Sequence, residues 1–73
     1  MDEPSAEQWI ASFAAAVGAE APDEERIAEL LKLAAVAAHS SERIAAPIAC
    51  WIAGAEGIEI ERAIAIAEGL EQR

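Results

Sequence analysis

The sequence predicts an all-α protein, a compact bundle of four short helices in one domain spanning residues 1–73. Three observations predict it. No strand alternation persists anywhere, and strand-favouring residues are scarce: there is no Tyr or Thr and only two Val. Alanine supplies 20 of the 40 apolar residues, which suits tightly packed helices. Finally, four runs repeat apolar residues at helical spacing, and each is bounded by a cap or a breaker. A chain of 73 residues is the size of one small domain.

The first helix is expected over about 6–17. Ser5-Ala6-Glu7-Gln8 is a capping-box pattern, and Trp9, Ile10, Phe13, Ala16 and Val17 fall on one face. Gly18 suits the left-handed residue after the last turn. The second is expected over about 23–38. Pro22 and the acids Asp23, Glu24 and Glu25 mark its start, where negative charge meets the positive end of the helix dipole. Ile27, Leu30, Leu31, Ala34 and Ala38 form its face, and the run Leu33–Ala38 is apolar on every side, which requires burial.

The third helix is expected over about 44–55, because a proline is tolerated in a first turn and Pro47 then falls there. His39-Ser40-Ser41-Glu42 is the expected link. Ile44, Ile48, Trp51, Ile52 and Ala55 share one face; Ala45, Ala49 and Cys50 leave the opposite side apolar too. Gly54 and Gly57 are expected to end it. The fourth helix is expected over about 59–70, with Ile60, Ala63, Ile64, Ala67 and Leu70 on one face and Ile58 and Ile66 off it. The expected core contains Trp9, Phe13, Leu30, Ile48, Trp51, Ile52 and Ile64, with Trp51 and Ile48 at its centre.

Composition excludes several functions. Fourteen acids against five bases give a net charge of −9, and the pI is near 4.3. Five scattered bases cannot form a nucleic-acid face. One cysteine cannot make a disulfide scaffold. The longest uncharged apolar stretch, Ile44 to Ala55, falls short of the ~20 residues a membrane helix needs. The opening Met-Asp-Glu-Pro lacks the basic and apolar regions of a signal peptide. The expectation is a cytoplasmic chain without membrane contact, with Cys50 a reduced, inert core thiol. The apolar surplus of the third and fourth helices points to a homodimer.

Candidate site residues gather around the link between the second and third helices. His39 is the sole histidine, and with Glu42 and Arg43 it makes H-x-x-E and H-x-x-x-R. A metal centre needs three or four converging ligands, so no metal or other cofactor is expected. Arg43 can either clamp an anionic partner or tie down the turn, and His39 can cap helix carbonyls or touch a partner. No phosphate loop, nucleophile elbow or H-E-x-x-H motif is present, and the expectation is a protein that is not an enzyme.

Leu30-Leu31-Lys32-Leu33-Ala34, Ala37-Ala38-His39, Arg43-Ile44-Ala45-Ala46-Pro47 and Gly54 carry a resemblance. So do Glu7-Gln8-Trp9 and Val17-Gly18. The stretch from Glu7 to Gly57 resembles a small helical bacterial domain of unknown function, found alone or fused to molybdenum cofactor guanylyltransferases of the MobA type. Its signature reads L-L-x-L-A-x-x-x-A-H-x-x-x-R-P-A-A-P, and Ile44 stands where that signature has its first Pro. The resemblance implies an accessory, protein-interaction domain linked to molybdenum cofactor biosynthesis or molybdoenzyme maturation, with a molybdenum cofactor protein as partner. The alternatives are a self-associating structural module without that link and a small-ligand or metal binder using His39 and Arg43.

Overall fold

A computed structural model describes residues 5–71; the Met-Asp-Glu-Pro opening lies outside the described residues. The chain forms an all-α bundle of four helices: α1 (Ala6–Ala16), α2 (Glu24–Ser40), α3 (Ala45–Ala55) and α4 (Ile60–Glu71). These bounds lie within two residues of the expected ones, because the caps act as the sequence predicts. The Ser5 hydroxyl accepts from the Gln8 N–H at 3.1 Å while the Gln8 side chain accepts from the Ser5 N–H at 2.9 Å. Asp23 caps α2 by accepting from the Arg26 N–H at 2.8 Å.

Two helices end in the same six-residue motif. Gly18 follows α1 with φ +76°, and Gly57 follows α3 with φ +67°. In each, the glycine N–H and the next N–H reach back to carbonyls of the last turn: Gly18 to Ala15 and Ala19 to Ala14, then Gly57 to Gly54 and Ile58 to Ala53. Gly57 alone therefore ends α3, and Gly54 lies inside it. At the other end of α3 no side chain caps the helix. The Ala45 and Ala46 N–H groups instead donate to the carbonyls of Glu42 and Arg43, and Pro47 has no N–H to satisfy. The second helix runs on to Ser40, whose hydroxyl donates to the Val36 carbonyl at 2.8 Å, so His39 and Ser40 belong to the last turn of α2 rather than to the link.

The central element is α2, which packs closely against both α3 and α4; α1 packs extensively against no other helix. Leu33, mid-way along α2, is the most buried residue at 2% exposure. Ala53, Ile60, Ala63 and Ile64 complete the buried cluster, with Leu30, Cys50, Ile58 and Ala67 half-buried against it. Ile64 and Leu30 thus pack as expected.

The rest of the expected core does not. Trp9, Phe13, Ile48, Trp51 and Ile52 are all exposed, Trp51 at 71%. In α3 the reason is a choice between two stripes. Ala53 packs in the cluster with Leu33 of α2 and Cys50 lies against Leu30, so it is the small-residue side of α3 that meets α2. The large residues Ile44, Ile48 and Trp51 consequently turn outward. In α1, which packs extensively against no other helix, it is Ala14 that is buried, while Trp9 and Phe13 stay on the exposed side with their rings stacked at 5.2 Å and 8°. Leu31 and Leu70 are likewise exposed, and Ile58, expected off the core, packs against it. No helix of the described residues is long and apolar enough to cross a membrane.

Candidate interaction surface

The turn between α2 and α3 brings His39, Glu42, Arg43 and Pro47 to the surface, where all four are exposed. Backbone bonds hold this turn. Among the described residues no side-chain hydrogen bond or ion pair involves His39, Glu42 or Arg43. The turn-fixing role open to His39 and Arg43 thus has no side-chain bond behind it among the described residues. The ion pair among the described residues is Arg26–Glu29 at 4.0 Å, an exposed contact worth little.

Beside this turn lies the outer face of α3. Ile44, Ile48 and Trp51 sit at i, i+4 and i+7, so their side chains form one ridge along the helix. Arg43 precedes the ridge directly. Arginine and tryptophan, here at opposite ends of the strip, are residue types that dominate binding energy at protein interfaces. Sequence spacing finds this ridge but assigns it to the core. The signal that could have reversed the assignment is the parallel stripe of alanines on the opposite side.

A second surface lies between α3 and α4. It is an apolar groove of about 210 Å3 with Leu33 as its floor and Ile52, Ile66 and Leu70 along its rim. Every residue lining it is apolar. A third depression, about 370 Å3, joins Arg26 and Leu30 of α2 to Cys50 and the chain entering α4.

Cys50 lies in that depression with its thiol 3.9 Å from the Leu30 carbonyl. Burial pushes its pKa above the ordinary thiol value, which keeps it protonated at neutral pH and a poor nucleophile. Among the described residues no group of three His, Cys, Asp or Glu is placed to hold a metal ion. The described surface presents two apolar features, one with a cationic lip, on an acidic chain.

No curated protein and no solved structure matches the sequence. One family does, over residues 1–72, and the chain belongs to it: the domain of unknown function DUF6457.

Proposed function

We propose that this chain is a non-enzymatic protein-interaction domain of the cytoplasm. It self-associates as a homodimer and docks a protein of molybdenum cofactor biosynthesis or molybdoenzyme maturation, such as a guanylyltransferase of the MobA type. The observation that carries the interaction reading is the outward ridge of α3, with Trp51 at 71% exposure and Arg43 and His39 unbonded beside it. Leaving such a ridge in water costs about 25 cal/mol per Å2 of apolar surface, so a partner that covers it gains stability. The molybdenum link rests on the resemblance of A-H-x-x-x-R-x-A-A-P, whose His39 and Arg43 flank the same ridge.

The test is direct binding of the full chain to the purified guanylyltransferase of the same organism, by calorimetry. Trp51→Ala and Arg43→Ala are each expected to weaken binding by about 30-fold or more, the scale of an interface hot spot. Arg43→Ala is expected to leave the melting temperature unchanged. Absence of binding by the parent chain at tens of micromolar refutes the molybdenum link. Undiminished binding by both variants refutes the assignment of the ridge.

A further inference from the structure

The groove between α3 and α4 and the exposed face of the first helix have matching properties. The groove walls are made of alanines, Ala49 and Ala53 on one side and Ala63 and Ala67 on the other, which leaves width for large side chains. The helix α1 offers such side chains on one face: Trp9, Phe13 and Val17 at i, i+4 and i+8, with Trp9 57% and Phe13 55% exposed. The two rings stack on each other, 5.2 Å apart and 8° from parallel, and form one aromatic wedge. Only Glu7 is charged within α1, so the helix enters an apolar groove with almost no charge to desolvate. Neither surface has an extensive helix partner within its own chain.

We propose that α1 of one copy seats Trp9 and Phe13 in the α3–α4 groove of a second copy, and that the second copy does the same in return. This rests on the self-association part of the reading above and names its contact. The exchange is a helix-in-groove contact repeated by a two-fold axis, so it closes at two copies. The exposed parts of Trp9, Phe13 and Val17, with the rim residues Ile52, Ile66 and Leu70, supply about 300–500 Å2 of large side chain per copy. Alanine and main-chain surface along both elements adds to this, toward the ~800 Å2 per partner of a stable interface. The outer ridge of α3 stays free for the other partner. Electrostatics works against the pairing, because each copy carries −9. Salt screens that repulsion, so the dimer tightens as ionic strength rises, the opposite of what a basic partner in the groove would show.

The experiment uses the full chain and two variants, Phe13→Glu, which spoils the wedge, and Ile66→Glu, which spoils the rim. Sedimentation is followed from 1 μM to 1 mM at low and high salt, with circular dichroism to check that helices remain. The parent is expected to dimerise, more tightly at high salt. Each variant alone is expected to dissociate about 30-fold more readily or worse. Mixed together, they regain part of the dimer: a glutamate spoils its contact outright, so each variant paired with itself loses both contacts, whereas the mixed pair gathers both lesions in one contact and keeps the other intact. A parent dimer whose variants fail to complement, or complement no better than each alone, overturns the wedge-in-groove contact while leaving self-association intact. A parent that stays monomeric throughout overturns both.

Discussion

Replacing Leu33 and Trp51 by alanine, one at a time, separates the observed orientation of α3 from the one its sequence suggests. Leu33 is 2% exposed at the floor of the bundle, between the two helices that pack on α2. Truncating such a leucine costs about 2–5 kcal/mol. The α3–α4 groove already opens onto this site, so part of the new space is accessible to water and about 3 kcal/mol is the expected cost. A domain of this length has a total stability of about 4–11 kcal/mol, so the loss is large. Trp51 buries only the remaining 29% of its surface. At about 150–250 Å2 per aromatic side chain and 25 cal/mol per Å2, that is about 1–2 kcal/mol. Urea unfolding followed by circular dichroism reads both, at a protein concentration low enough to keep the chain monomeric. A Trp51→Ala loss equal to or larger than the Leu33→Ala loss would show that α3 faces inward with its large residues, and the orientation described here would be wrong.

Two further outcomes test local features. Gly57→Ala is expected to cost about 1–2 kcal/mol although nothing crowds the site, because φ is +67°; Gly54→Ala, inside α3 and equally open, is expected to stabilise by about 0.5–1 kcal/mol, and equal melting shifts in the two variants would contradict the C-cap geometry. Cys50 is expected to alkylate slowly at pH 8 relative to the urea-unfolded chain. Because the folded thiol holds its proton more tightly, the unfolded state ionises first, so stability is expected to fall as pH rises past the unfolded thiol's value; a Cys50→Ala chain with the same alkaline slope would assign that loss elsewhere.

Helix positions were legible because they depend on local chemistry. A serine or aspartate that can cap, a glycine that can turn left-handed and a proline confined to a first turn each act over about four residues. Helix orientation was not legible in α3, because both of its sides are apolar and periodicity gives no sign. The rule that large apolar residues are buried favoured Ile48 and Trp51. Packing of α2 against the small residues Cys50 and Ala53 outweighs it in the single chain. The run that Leu33 opens is expected to be buried as a whole, but a run apolar all round does not say which residue faces the core; Leu33 alone of it is buried, and Ala35 is exposed. In α1 the spacing of Trp9, Phe13 and Val17 marks one face, but that face is exposed rather than in the core, because α1 packs extensively against no other helix of the chain.

These observations have one physical consequence for how the chain folds. Of the six buried hydrophobic residues among those described, three are alanine, and only Leu33, Ile60 and Ile64 contribute large side chains. Ten large apolar residues stay at least about half exposed. Ordering the backbone costs about 1–2 kcal/mol per residue, and so thin a core offsets that with little to spare. Covering the exposed residues in a complex adds stabilisation that depends on partner concentration, by mass action. The acids suit this arrangement. Spread over the surface while α3 itself remains uncharged, they keep copies apart at long range and leave the apolar contacts undisturbed at short range. If the proposed association occurs, it and folding draw on the same side chains: the large apolar residues absent from the core of one chain are the ones exposed on its surface.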